Sequence, residues 1–164
     1  MNIDFNKLID DCKVIFFLGL SQKVVSEFSQ DKDKVTAQNV LDFSWRWLQN
    51  KECDGEYLYN LLDDEECGIT LIQEMSENEN DKVAWNCIID AVAYTSRKAY
   101  ETEGAKYFPE PIELVDDTLV EHFINCFNNC VPSSDDLIKK VYFFLSKYNS
   151  DSISSLKNEI LNLI

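Results

Sequence analysis

His122, Cys126 and Cys130 recur at four-residue intervals, which on a continuous helix would line one imidazole and two thiols along a single face. Imidazole and thiolate suit zinc, but a closed tetrahedral site takes four donors, and neither a paired cysteine nor a second histidine supplies the fourth. Phe123 and Phe127 stand beside them, so the stripe reads as packed core in which cysteine acts as a small hydrophobe. A second spacing, Asp63-x-Glu65-x-Cys67-Gly68 with Glu74, copies positions 1, 6 and 12 of a calcium loop. Its fifth position is a thiol, a poor ligand for a hard cation, and its third is Glu where the shorter Asp or Asn is usual. The segment reads instead as a capped turn between two short helices. No metal and no cofactor is expected.

Catalysis is not expected either. An acid–base mechanism would rest on His122, the one histidine, or on carboxylates too numerous for any pairing to be informative. No Ser or Cys stands in a nucleophile elbow, and no Gly-Lys phosphate motif is present. In Trp45-Arg46-Trp47, Trp45 shares a face with Leu41 and Leu48 and is expected in the core. Trp47 falls about two positions off that face and is expected as a partly exposed anchor, a residue type that dominates interface energetics. Arg46 and Arg97, the two arginines, are expected to pair internally with acids.

The charge is where the chain departs from an ordinary surface. Of 30 acids against 15 bases, a net of −15, eleven lie between Glu52 and Asp81 with no Lys or Arg among them. A second block, Glu101 to Glu121, holds seven acids and only Lys106. The remaining residues are nearly neutral, so the charge is localised. Such a field steers cationic partners and repels nucleic acid, lipid headgroups and phosphate substrates. Tyr57 and Tyr59 lie inside the first window, and carboxylates around tyrosines suit a site that meets an Arg- and Lys-rich partner.

The elements that must carry these residues are helical. Four Gly and three Pro in 164 residues are few for strands and tight turns, and 45% apolar residues provide a core. Spacings of three and four predict helices over residues 4–29, 35–50, from Asp54 as N-cap through Leu62, and 69–75. Further helices are predicted from Asp81 as cap to Glu103 with Gly104 as stop, from Asp116 or Asp117 through Phe127, from a capping box of Ser133 and Asp136 to Tyr148, and from near Asp151 to Ile164. Val35 is placed on the apolar face of the second helix, and Phe108-Pro109-Glu110-Pro111 is read as an extended loop. The expectation is a single all-α domain over residues 1–164 with about seven or eight helices. The acidic start and the absence of a long apolar run argue against export or a membrane span. A cytosolic chain with six free thiols is therefore expected.

Three segments then carry a likeness: Leu41-Asp42-Phe43-Ser44-Trp45-Arg46-Trp47-Leu48, Tyr59-Asn60-Leu61-Leu62-Asp63-Asp64-Glu65-Glu66, and Ala84-Trp85-Asn86-Cys87-Ile88-Ile89-Asp90-Ala91 continuing to Tyr94 and Tyr100. In this order and spacing the chain resembles the sixth-numbered immunity-protein family of bacterial polymorphic toxin systems, over residues 10 to 130. The resemblance implies a non-enzymatic all-α antidote, encoded beside a secreted or contact-delivered toxin and kept in the cytoplasm. Many such toxins are nucleases with basic sites, which an acidic inhibitor can occupy as a phosphate mimic. The expected contact is Asp63, Asp64, Glu65 and Glu66, with Asp54, Glu56, Tyr57, Tyr59, Glu74 and Glu77 around them and Asp116 and Asp117 as a second patch. An acidic helical adaptor for another cationic protein, or a DNA mimic, is the alternative, and a small metal-dependent enzyme using buried carboxylates a third reading.

Overall fold

The computed structural model describes residues 3–148 and 152–164. Within them the chain forms nine α-helices and no strand: α1 (Asp10–Val24), α2 (Asp31–Asn50), α3 (Gly55–Asp63), α4 (Ile69–Met75), α5 (Glu79–Thr102), α6 (Glu110–Glu113), α7 (Leu119–Cys130), α8 (Ser134–Ser146) and α9 (Ile153–Leu163). The all-α expectation is met. The helix not expected is α6, a single turn that begins at Glu110 within the segment read as an extended loop and runs past its end. Pro109 is extended (ψ 141°), but Pro111 falls in the first turn of α6, where a missing N–H costs nothing.

α1 is the axis of the molecule. Residues 12–21 are all buried, because α2, α5, α7, α8 and α9 each pack against it. A helix covered on every side has no need of a polar stripe. It starts at Asp10 rather than residue 4, since Leu8 and Ile9 are extended (ψ 137° and 158°) and separate it from a 3₁₀ turn at Phe5–Lys7. The break folds Phe5 back onto Phe16 and Phe17, with ring centroids 5.6 and 5.8 Å away, which a straight helix would forbid. Phe17 in turn stacks on Tyr94 of α5 at 4.6 Å.

α2 begins at Asp31 rather than residue 35, and Asp31 and Asp33 in its first turn suit the positive end of the helix dipole. Ala37, Val40, Leu41, Ser44, Trp45 and Leu48 face inward, which turns Val35 outward to 61% exposure, contrary to its expected place. α5 is the second strut and touches α1, α2, α3, α4 and α7. Its cap is Asn78, whose side chain accepts from the N–H groups of Asn80 and Asp81, not Asp81 as expected. Asp81 points inward and takes the N–H of Ser29 at 2.9 Å and its hydroxyl. The helix ends before Gly104, which turns the chain at φ 70°.

Asp116 and Asp117 precede α7, and Thr118 is its cap residue. Ser133 is left-handed (φ 55°) and makes no side-chain cap bond, so the expected capping box is absent and α8 begins at Ser134. α9 begins at Ile153 with the Ser152 hydroxyl accepting from the Ser155 N–H. The expected start near Asp151 lies outside the described residues. All six cysteines are free thiols.

Candidate functional site

α3, the following turn and α4 hang on the outer side of α5. Asp54 caps α3 as expected, Oδ1 accepting from the Tyr57 N–H at 2.7 Å. Gly55 then sits against Tyr100, where a Cβ would lie 2.6 Å from the ring, so only glycine lets α3 approach α5 this closely. Its N–H donates to Glu103 Oε1 at 2.7 Å and its carbonyl accepts from the buried Ser96 hydroxyl at 2.9 Å. Leu58 and Leu62, one turn apart, bury the inner face and leave Glu56 and Asp63 outside.

The turn satisfies itself. Asp64 Oδ1 accepts from the N–H groups of Glu66 and Cys67, both at 2.9 Å, and the Cys67 thiol lies 3.2 Å away. Those bonds, the Glu66 N–H foremost, hold the Asp64 carboxyl below its usual range. Gly68 closes the turn: a Cβ there would meet the Leu62 carbonyl oxygen at 2.5 Å and the Asp64 nitrogen at 2.7 Å. The spacing that copied a calcium loop is thus a backbone turn organised by its own second residue.

The carboxylates of this face carry no internal counter-charge. Among the described residues, none of Glu52, Asp54, Glu56, Asp63, Asp64, Glu65, Glu66, Glu74 and Glu77 is ion-paired, and the window's one ion pair joins Glu79 to Lys82 at its far end. All nine are exposed. Asp81, the last acid of the window, is 1% exposed and does not belong to the face. Unscreened by partners, these charges act on an approaching cation out to about one Debye length, roughly 8–10 Å at physiological salt.

The second block is different. Glu101 accepts from Arg97 at 2.8 Å and from Lys98 at 3.2 Å, and Asp117 accepts from Lys13 at 2.6 Å and from the Tyr94 hydroxyl at 2.7 Å. Burial pushes the Asp117 carboxyl up, but the Lys13 and Tyr94 bonds outweigh it and the net shift is downward. Asp116 is exposed and accepts from the Thr118 N–H. Asp116 and Asp117 border a cavity with Tyr94, Arg97 and Lys98, to which α3 and α4 contribute nothing. Asp116 and Asp117 thus line a different recess from Asp54 and Tyr57.

Tyr57 is 42% exposed and leans on Phe43, centroids 5.1 Å apart. Tyr59 donates its hydroxyl to Asp63 Oδ2 at 2.6 Å, and that bond with burial pushes its hydroxyl up to about 12. Trp45 is buried as expected, but Trp47 is too, at 3% exposure, and is not a surface anchor. α2 packs against α1, α3, α5 and α9, so its buried arc is wider than one stripe. Arg97 pairs with Glu101 as expected, whereas the Arg46 guanidinium lies over the Phe43 ring at 5.1 Å. Phe43, Cys53 and Glu103 border the acidic face and, like Glu52 on it, are not among the site residues expected from the sequence. Glu52 and Glu103 were signalled only as members of the two acidic blocks.

The His122, Cys126 and Cys130 stripe does align along α7. His122 Nδ1 is 2.7 Å from Asp90 Oδ2, the Cys126 sulfur 3.7 Å from Nε2, and the Cys130 sulfur 4.0 Å from that of Cys87. Thiol, imidazole and carboxylate follow in the order of a nucleophile, base and orienter. Burial first, and then the Asp90 carboxylate, push the Cys126 thiol up to about 11, the opposite of an activated nucleophile. Among the described residues, no group of three or more His, Cys, Asp or Glu is placed to hold a metal ion.

Among the described residues, frame and face together define an all-helical protein that presents unpaired negative charge on two short helices and the turn between them. The family model described as Immunity protein Imm6 matches residues 12–130, and the chain belongs to that family. No curated protein and no solved structure matches it. The matched segment ends with α7, so α8 and α9 lie outside it while burying Ile138, Val141, Leu145, Leu156 and Ile160 in the common core.

Proposed function

We propose that this immunity protein is a cytoplasmic, non-enzymatic antidote that binds a cognate basic toxin, a nuclease, through the face formed by α3, the 64–68 turn and α4. The observation that carries the proposal is that, among the described residues, no acid from Glu52 to Glu77 is ion-paired, whereas Glu101 and Asp117 of the second block are. An acidic surface serving only solubility would gain by interspersed lysines, since uncompensated self-repulsion costs stability. Glu56, Glu65, Glu66 and Glu74 are exposed on the two short helices and their turn, and Glu77 is exposed just beyond α4. Asp54, Asp63 and Asp64 accept hydrogen bonds from uncharged donors only.

Opposite charge raises association towards roughly 10⁸–10⁹ M⁻¹s⁻¹ and makes it salt-dependent. A nuclease site that binds phosphates offers the required cations, and carboxylates placed over it exclude nucleic acid. No helix among the described residues is long and apolar enough to cross a membrane. The test is co-expression with the toxin domain encoded by the adjacent gene. Growth is restored by the wild-type chain if the proposal holds; failure of rescue with both proteins present overturns it.

A further inference from the structure

Between the end of α2, the start of α3 and the end of α5 lies a cavity of about 620 Å³, well within the range of ligand-binding pockets. Phe43, Trp47 and Cys53 supply its apolar lining, and Tyr57 stands beside them, half-exposed. Its two cations are already engaged. The Arg46 guanidinium covers Phe43, while the Lys51 ammonium sits 4.0 Å from the Trp47 ring centroid and donates to the Leu48 carbonyl at 3.2 Å.

Its three acids are not neutralised by those cations. Asp54 holds the Tyr57 N–H, Glu103 the Gly55 N–H, and Glu52 the Asn50 side-chain amide at 3.1 Å. The pocket thus offers an apolar lining and a rim of carboxylates bonded only to neutral groups. Asp54 and Tyr57 belong both to this rim and to the acidic face, which makes the two continuous.

We propose that this pocket receives one aromatic or long aliphatic side chain of the toxin, with a neighbouring toxin lysine or arginine reaching the carboxylates of Glu52, Asp54 and Glu103. The assignment rests on the toxin-binding reading above and deepens it. Exposed charge sets the rate of encounter, whereas a desolvated anchor in a pocket sets the rate of escape. The acidic turn steers, and the pocket holds.

Two thiols report on the two parts separately. Cys67 lies exposed on the acidic turn and Cys53 lines the pocket. The experiment compares alkylation of both, read by peptide mass spectrometry, in the free protein and in its complex with the toxin domain encoded by the adjacent gene. It is joined by Thr102→Trp, at an exposed rim position, which should narrow the pocket without altering the core. The expected result is shielding of both thiols in the complex, and a dissociation rate about tenfold faster in Thr102→Trp with association nearly unchanged.

Shielding of Cys67 alone, with Thr102→Trp dissociating like wild type, overturns the pocket and leaves the acidic face standing. Cys53 shielded in the free protein by concentration-dependent self-association would assign the pocket to a second copy and equally overturn it. If the wild-type chain forms no complex at all, the toxin-binding reading falls and the pocket with it.

Discussion

The Lys13 ammonium donates to Asp117 Oδ2 at 2.6 Å, tying the middle of the molecule to the approach to α7. The lysine side chain is only 11% exposed and the carboxylate 34%. An acid that looks available in sequence is therefore the counter-ion of a buried cation. This separates the acids that hold the fold from those left facing solvent.

Replacing Asp117 by Asn should accordingly act on stability and not on binding. Leaving a nearly buried ammonium unpaired costs about 1–2 kcal/mol, after discounting the larger values of fully buried pairs for the exposure of Asp117. Urea denaturation should show that loss, with the toxin association rate unchanged. A slower association at unaltered stability would return Asp117 to the interface.

Gly68 should be intolerant of a methyl group. Its Cβ would strike the backbone of residues 62 and 64, which cannot swing aside as a side-chain end can. Gly68→Ala is expected to cost about 1–3 kcal/mol and to raise amide exchange at Glu66 and Cys67, whose N–H groups bond Asp64. Wild-type exchange at both amides would contradict that geometry.

Asp90 makes stability depend on pH. Burial pushes its carboxyl up to about 6, against the pull of His122. Between the unfolded value of about 3.9 and 6 the folded chain keeps a proton that the unfolded chain has released, so this contribution grows as pH falls and is absent above 6. The stability of wild type relative to Asp90→Asn should rise by about 1 kcal/mol between pH 7 and about pH 5. Denaturation curves at the two pH values measure it, and a pH-independent difference would remove Asp90 from the account.

A chain ended at Cys130, the limit of the family match, should not fold cooperatively. α8 and α9 bury five aliphatic side chains over α1 and its neighbours, worth on the order of 10 kcal/mol, as much as the whole net stability of a typical domain. Loss of a sigmoidal thermal transition is the expected result. A cooperative transition in the truncated chain would show that α1 can be covered in another way.

Several local signals in the sequence led to the right elements, although the equally local capping box at Ser133 does not form. The Asp54 cap, the bounds of α4 and the burial of Trp45 all follow from neighbours within a few residues. Asp81 shows the opposite case. An acid before a helix looks the same whether it caps or is buried, and its partner Ser29 lies 52 residues away. Lys13 and Asp117 are 104 residues apart, and nothing in spacing links them. Trp47 was misplaced because a single stripe was assumed for a helix that touches several others. The pocket was out of reach for the same reason, since Phe43, Cys53 and Glu103 come from three separate stretches of chain.

The central claim is that unpaired carboxylates of the α3–α4 face meet a basic toxin. Its most direct test is the association rate with the adjacent-gene toxin domain at several salt concentrations, for wild type and for Glu65→Lys with Glu66→Lys. Both residues are exposed, and among the described residues neither side chain takes part in a hydrogen bond or ion pair, so the fold should tolerate the change. The wild-type rate should fall steeply with salt, and the variant should associate at least about tenfold more slowly at low salt with a shallower slope. Equal rates and equal slopes for the two proteins would place the toxin elsewhere on the molecule.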